Sequence, residues 1–427
     1  MTSPNGLCSI FLLFLCSVEF TWLRGCVSTV GAQNLSKVAS HIETLEKKLS
    51  FLKTEAGVSS LQGGFSERQW KDHLKFHRYL HSTQHPQHCN ASTHLMAHER
   101  GDGLGANLRE QVSCFLFAVE AGLTWTFPFT SKYATSPSCQ QKNLECYFKL
   151  PSNCSVVTQP HIQQGCDCYN LDPTKMATLS GLAHVYSKAW FFSETALYLY
   201  RPNVRLLRFL GVLRKELSLP PTGQFLAVHI RHNDKVQGHW HKVEEYIEVL
   251  KRFMWTHSLY TVLLATDDPS ALHAMQATLN NDSILQRESS SHGHNGTRVV
   301  TIPSKYLMPL VSPEGKLAPA ARRLARGEVT DGHDEGLTLL AQAFLAAEAR
   351  VLIGTQSSHY SRLMIQLQHM HQLRPPATGP PYFYDMDNEP LGSIQCRYIN
   401  PSVGYKPLRM VRRSRKRHSK YKLTHKI

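Results

Sequence analysis

The chain has 427 residues and a formal net charge of +15. That length accommodates two domains of ordinary size plus appendages. Ten Lys or Arg and no acid lie between Lys406 and Lys426, two thirds of the positive excess. The basicity is therefore a tail over residues 401–427, and no nucleic-acid partner is expected.

At the amino terminus residues 7–18 form an apolar run, followed by Glu19, Trp22, Arg24 and a small-residue stretch ending Val30-Gly31-Ala32. The run is shorter than the roughly 20 residues of a membrane span, so residues 1–32 read as a signal peptide or a signal anchor. Either sends the chain into the secretory pathway. Leu35, Val38, Ile42, Leu45, Leu49 and Leu52 then alternate spacings of three and four. Such a seam predicts a coiled-coil stalk over residues 33–56 that pairs two chains. The other reading of the same spacing is one amphipathic helix lying on the globular body.

Outside the leader there are eight cysteines, of which Cys89, Cys114, Cys139, Cys146, Cys154, Cys166 and Cys168 precede residue 170. An even count in an oxidising compartment predicts disulfides stapling a loop-rich first domain, with the pairing open. Cys166-Asp167-Cys168 lacks further ligands at zinc spacing, and no metal is expected there. Sequons at Asn34, Asn90, Asn153, Asn281 and Asn295 fit a luminal protein.

Residues 66–98 hold seven histidines, and His73, His77 and His81 recur at every fourth position. That is one face of a helix, and with no hydrolytic zinc motif downstream it is expected to be a solvated stripe. Gly103-Leu104-Gly105-Ala106-Asn107-Leu108 leads into an apolar helix over 112–121 and a strand over 123–127. Glycines ahead of a helix let backbone N–H groups approach an anion or a sugar, although no clear strand precedes these. The text through Lys175 is rich in Cys, Ser, Asn and Pro and reads as loops. Residues 176–219 read as helical, with Trp190, Phe191, Phe192, Tyr198 and Tyr200 expected to pack one domain on the other. Pro220-Pro221-Thr222-Gly223-Gln224 marks the boundary between a Cys-rich α/β domain, 66–222, and a second domain, 223–400.

The second domain opens with a buried parallel strand over 225–230, which discharges into a loop carrying His229, Arg231, His232, Asp234 and Lys235. Val243, Tyr246, Ile247, Leu250, Phe253 and Met254 recur at helical spacing. A strand over 261–265 then ends in Thr266-Asp267-Asp268-Pro269, a helix cap with proline at the first helical position. Further on come a helix over 270–279, a loop over 281–297, a strand over 299–302 and a helix over 336–349 opened by Asp334 and Glu335. A strand over 351–354 runs into Thr355-Gln356-Ser357-Ser358 and a helix through Leu373. Hydroxyls and free N–H groups at that turn form a candidate phosphate seat. The alternation predicts a doubly wound sheet, with ligands gathered at its carboxyl edge. His229 and Arg231 are two apart, share one face, and can converge on one anion.

The stretch His229-Ile230-Arg231-His232-Asn233-Asp234-Lys235-Val236, then Val243-Glu244-Glu245-Tyr246, then Ala265-Thr266-Asp267-Asp268-Pro269-Ser270, and finally Gly354-Thr355-Gln356-Ser357-Ser358 resembles the α-1,6-fucosyltransferases. Weaker echoes are Gly103-Leu104-Gly105, Lys132-Tyr133-Ala134-Thr135, and Trp190 with Tyr200-Arg201-Pro202. The resemblance spans roughly residues 100–375. It implies an α/β, GT-B-like enzyme of two Rossmann-like domains behind a Golgi type II signal anchor and stalk, or secreted if the leader is cleaved. It also implies GDP-fucose as donor, a glycan or glycoprotein acceptor, inversion at the fucose carbon, and no cofactor or metal. The finest reading is transfer to the 6-hydroxyl of the GlcNAc in an N-glycan core. Alternatives are another oligosaccharide or protein O-glycan acceptor, or a glycan-binding protein that has lost catalysis.

By that resemblance Arg231 steadies the departing diphosphate, His229, Ser357 and Ser358 touch the nucleotide, and Tyr133 stacks near the guanine. Asp234, Lys235, Tyr246, Asp267 and Asp268 shape the reacting region. Three positions depart from the family pattern. His232 stands where the family has a second arginine, and Gln342 stands where an acidic residue is expected. The loop ahead of Tyr246 is two residues shorter and lacks the family's closing glutamate. His239 is the expected general base in its place, since an imidazole titrates near the operating pH.

Overall fold

The computed structural model describes residues 67–89, 94–97, 103–128, 131–134, 139–140, 142–154, 161–163, 171–232, 241–291, 296–306, 334–373 and 381–387. The chain divides into two units, residues 1–62 and 63–427, and every described residue belongs to the second. The expected leader, stalk and basic tail lie outside the described residues.

In chain order the first elements are α1 (Glu67–Gln84), β1 (His94–Ala97), α2 (Leu104–Glu120), β2 (Thr124–Thr126), β3 (His161–Gln163), α3 (Pro173–Leu179), α4 (Lys188–Leu199) and α5 (Val204–Glu216). The remainder are β4 (Leu226–Ile230), α6 (Val243–His257), β5 (Thr261–Thr266), α7 (Pro269–Asn280), α8 (Ser283–Ser291), β6 (Arg298–Val300), α9 (Glu335–Ala347), β7 (Val351–Gly354), α10 (His359–Leu373) and β8 (Tyr382–Asp385).

The strands form two parallel sheets. One has the order β2-β1-β3 and the other β6-β5-β4-β7-β8. In the larger sheet β4 comes first in sequence and lies in the middle, with β5 on one side and β7 on the other. The direction of winding therefore reverses between β4 and β7, and the crevice beyond their carboxyl ends is where an open α/β sheet takes a ligand. The α/β class and the parallel sheets expected from the sequence are present.

The side chains of β4 explain why the strand reads as unbroken apolar text. All five of its residues are buried, because helices cover both faces of the sheet. Leu226, Val228 and Ile230 point into a core with Val249, Leu250 and Phe253 of α6 and Ala271 and Met275 of α7. Ala227, with Phe225 just ahead of the strand, points the other way, into a core shared with Leu340 and Ala343 of α9 and Leu363, Met364 and Leu367 of α10. His229 and Arg231 inherit the second direction from the period-two alternation of a strand.

That second core also takes in side chains from the amino-terminal elements. Phe76 of α1, Leu108 and Phe115 of α2, and Trp190, Phe191 and Tyr198 of α4 belong to the same cluster as Ala227 and Leu352. The Phe76–Trp190 and Phe76–Phe191 ring centroids are 5.4 and 5.3 Å apart, in the range where aromatic pairs attract beyond simple burial. Among the described residues, the disulfides Cys89–Cys154 and Cys139–Cys146 staple this half, closing loops of 65 and 7 residues.

Some boundaries differ from the expectation. A strand, β1, does precede the glycines at 103 and 105, and α2 begins at Leu104, ahead of residue 112. The Ser-rich segment 283–291 is helical: Asp282 accepts hydrogen bonds from the N–H groups of Ile284 and Leu285, and Leu285 is fully buried. The histidines of α1 are not a solvated stripe, since His73 and His77 face the buried carboxylate of Glu194. Among the described residues, no helix is long and apolar enough to cross a membrane.

Candidate active site

The crevice is built from the carboxyl ends of β4, β5 and β7 and the amino ends of three helices. Crossover helices run antiparallel to their strands, so α9 and α10 present their amino ends at this edge. α2, from the smaller sheet, joins them through Gly105. A Cβ there would lie 2.6 and 2.7 Å from the backbone N and Cα of Tyr360 and 2.8 Å from the carbonyl carbon of His359. Only glycine lets these two helix starts touch backbone to backbone, and each brings the partial positive charge of its terminus. The Nη1 of Arg109, on α2, lies 3.2 Å from Nδ1 of His359.

His229 is buried, and its Nδ1 lies 2.7 Å from the hydroxyl of Ser361 on α10. Its ring meets Tyr360 edge-on, with centroids 5.2 Å apart. Arg231, two residues on, is half-buried, and its guanidinium reaches the start of α2, 3.8 Å from where a Cβ on Gly103 would stand. The pair therefore does share one face, toward α2 and α10. Burial, with the Glu335 charge, pushes the Tyr360 phenol well up, and Arg231 works against that shift.

Ser358 closes the turn after β7. It is buried, yet its hydroxyl has no hydrogen-bond partner among the described residues. Buried hydroxyls are usually paired, so this one, at the carboxyl edge of the sheet, keeps its hydrogen-bonding capacity for a ligand. The neighbouring amides are already committed: the N–H of Gln356 donates to Asp385 at 3.0 Å and that of Ser357 to Asp387 at 2.7 Å. The phosphate seat expected at residues 355–358 is therefore narrower than the sequence suggested.

The opposite side of the edge is a network of acids and imidazoles. The backbone N–H of His232 donates to Asp267 at 2.8 Å, its Nδ1 lies 2.8 Å from Asp268, and its Nε2 donates to the carbonyl of His241 at 2.9 Å. Asp268 also caps α7, accepting from the N–H and hydroxyl of Ser270 at 2.9 and 2.6 Å. Partial burial works against the Asp268 charge, but the Ser270 and His232 hydrogen bonds outweigh it and hold its carboxyl below the ordinary aspartate value. The His241 ring bridges Glu245 at 2.9 Å and Asp387 at 3.4 Å. His232 and His241 thus tie together the two ends of segment 233–240. That segment carries Asp234, Lys235 and His239, which lie outside the described residues.

The other expected residues are packed. Tyr246 is buried in the core beneath α6, and burial, then the charges of Asp387, Glu245 and Asp385, push its phenol up. Tyr133 is buried with its carbonyl accepting from the Tyr147 hydroxyl at 2.8 Å, against Gly336 at the start of α9. Asp334 caps α9 through the N–H of Leu337, accepts from Tyr147 at 2.6 Å and pairs with Arg205. Gln342 accepts from the Tyr360 hydroxyl at 3.2 Å between α9 and α10. Ser361, Asp385 and Asp387 were not anticipated, and Gly105, expected to admit an anion or a sugar, admits the backbone of α10. Each acts through a partner distant in sequence, which no local motif announces.

Comparison with known proteins falls on this same stretch. A family model described as "Alpha-(1,6)-fucosyltransferase N- and catalytic domains" matches residues 172–296, which run from α3 through the β4 loop and the Asp267-Asp268 pair. The resemblance to that family thus holds over a segment containing Arg231, and Ser358 lies beyond it. Among solved structures, fucosyltransferase NodZ from Bradyrhizobium is similar at 13% identity and a TM-score of 0.37, over 70% of this chain and 97% of its own. POFUT1 in complex with GDP-fucose has 7% identity and a TM-score of 0.36, over 70% and 99%. Arabidopsis thaliana FUT1 in complex with GDP has 10% identity and a TM-score of 0.42, over 76% and 80%. Comparison with curated protein sequences gives no match.

Proposed function

Taking the α-1,6-fucosyltransferase likeness of residues 172–296 as premise, we propose that this chain transfers fucose from GDP-fucose to a glycan hydroxyl. The observation that carries the reading is the hydroxyl of Ser358, buried and unpaired among the described residues in the turn after β7, the neighbour of the strand that carries His229 and leads into Arg231. A diphosphate supplies the acceptor oxygens that such a hydroxyl, a guanidinium and two helix starts would engage together. POFUT1 bound to GDP-fucose and NodZ soaked with it are consistent with that donor.

In the proposed reaction the acceptor oxygen attacks the anomeric carbon of fucose from the face opposite the nucleotide, inverting it, and GDP leaves with the electron pair of the broken bond. Negative charge grows on the β-phosphate as that bond lengthens. A guanidinium waiting there lowers the barrier, because it interacts more strongly with the transition state than with the bound donor. Arg231 takes that role, and His229 and Ser358 position the phosphates. A base from segment 233–240, His239 by choice, removes the acceptor proton, and Asp234 and Lys235 belong to the same segment. No metal enters the scheme. The finer proposal is an α-1,6 linkage to the GlcNAc of an N-glycan core, made in the Golgi lumen.

The test combines calorimetric GDP binding with mass-resolved fucose transfer to a glycan array. Ser358→Ala should keep the wild-type melting temperature, since no internal hydrogen bond is lost, while GDP affinity falls roughly tenfold or more, as for a hydrogen bond to a charged group. Arg231→Ala should abolish transfer. Unchanged GDP affinity in Ser358→Ala would overturn the placement of the nucleotide. GDP binding without transfer to any acceptor would favour the binding protein over the enzyme.

A further inference from the structure

The three helices α1, α4 and α10 meet around one carboxylate. Glu194 of α4 has a side chain with no exposure to solvent. Its Oε2 lies 2.6 Å from Nδ1 of His73 and 3.0 Å from Nε2 of His77, and its Oε1 lies 3.1 Å from Nε2 of His369. His73 and His77 are one helical turn apart on α1, so their imidazoles stand on one face, with ring centroids 4.2 Å apart. The donor atoms of His73, His77 and Glu194 all lie within 4.8 Å of one another.

We propose that His73, His77 and Glu194 bind a divalent transition metal ion of the zinc class, with His369 holding the second carboxylate oxygen. The donor set is two imidazole nitrogens and a carboxylate oxygen, which suits a borderline ion and leaves one position of a tetrahedron for water. At zinc bond lengths of about 2.0–2.1 Å, donors sharing one ion stand roughly 3.3 Å apart. The observed 2.6 and 3.0 Å contacts therefore need to open by less than an ångström, and the two ring nitrogens, which lie within 4.8 Å of each other, need to settle at the same spacing. On binding, each coordinating nitrogen presents its lone pair, and any proton it carried is released to solvent or taken by the other ring nitrogen. The dication then offsets the buried carboxylate charge, which is otherwise held by hydrogen bonds alone.

The surroundings resemble the shell of a metal centre. Trp70 stacks on the His73 ring at 4.9 Å, Tyr198 meets His77 edge-on at 5.9 Å, and Leu197 packs with Trp70 and Met370 beside them. An entry path exists, because the His73 and His77 side chains retain 12% and 21% of their exposure. His369 lies ten residues along α10 from His359, which puts the cluster about 15 Å from the helix start at the crevice. The ion would act as a rivet that fastens α1 to α4 and α10 and would take no part in transfer.

The experiment uses the full chain from a secretory host, stripped with chelator and titrated with Zn2+ and Co2+. The expected result is one tight equivalent per chain, a melting temperature several degrees higher, and a Co2+ visible spectrum of low-coordinate nitrogen–oxygen type. Loss of an outer-shell partner typically weakens a metal site by about 10–100-fold, so His77→Ala, which removes a ligand, should exceed that. Glu194→Gln should remove the spectrum altogether, and the exposed His184→Ala should leave binding intact. His77→Ala keeps the test sound if Glu194→Gln fails to fold. A stripped chain that takes up no tight equivalent, or one whose uptake His77→Ala leaves unchanged, overturns the proposal and leaves a carboxylate satisfied by three N–H donors.

Discussion

Gly105→Ala is the substitution on which the geometry of the crevice bears most directly. The added methyl would stand 2.6 Å from a backbone nitrogen and 2.7 Å from a backbone Cα of Tyr360, where ordinary contact begins near 3.4 Å. Backbone cannot rotate aside, so α2 and α10 must separate by most of an ångström. Overpacking of this kind costs about 1–3 kcal/mol, against which alanine returns up to about 1 kcal/mol of helix propensity. The net expectation is a loss of about 1–2 kcal/mol, or roughly 2–4 °C in melting temperature for a body of this size. Function should suffer more than stability, because α10 carries Ser361, the partner of His229, and follows Ser358. Displacement of catalytic groups by about 1 Å can cost on the order of 100-fold in rate. Gly211→Ala in α5 supplies the comparison, since a Cβ there meets nothing within 4 Å. It should stabilise by up to about 1 kcal/mol and leave transfer untouched. A Gly105→Ala protein that melts at or above the wild-type temperature and binds GDP normally would refute the helix-contact argument.

His232→Ala should strip a donor from both Asp268 and the His241 carbonyl, lowering stability by about 1–3 kcal/mol. Turnover should fall further than GDP affinity, a split that steady-state kinetics and calorimetry separate. Cys89→Ser opens a loop of 65 residues and should cost about 4 kcal/mol on the chain-entropy account, seen as a lower denaturant midpoint. The Asp268 carboxyl titrates below its ordinary 3.8, so its contribution to stability is fully present above that value and is lost as pH falls through the folded value. Acid melts of Asp268→Asn should therefore run flatter than wild type below about pH 4, with the difference constant above it.

The elements that position the crevice were legible because their cause is local. The strand at 225–230 shows as unbroken apolar text, the cap at Asp268-Pro269 shows as two adjacent residues, and β7 was bounded at 351–354. The turn at Thr355–Ser358 was visible too, but its competition with Asp385 and Asp387 was not, since those acids arrive from a strand some 30 residues later. α8 was hidden by serines and a sequon, which suggest a loop until Leu285 is seen buried. The α1 histidines misled for the same reason as the acids. Glu194 is more than 100 residues away, and nothing in the spacing of His73 and His77 says what will face them.

The link from the His232 ring to the His241 carbonyl has a consequence for evolvability. Eight residues lie between two anchors that hold each other. Replacing them should leave β4 and α6 in place, so the interval between the two anchors is where a change of length should cost the fold least. On the proposed function, grafting a longer relative's stretch between His232 and His241 should change which acceptor hydroxyl is used without unfolding the protein.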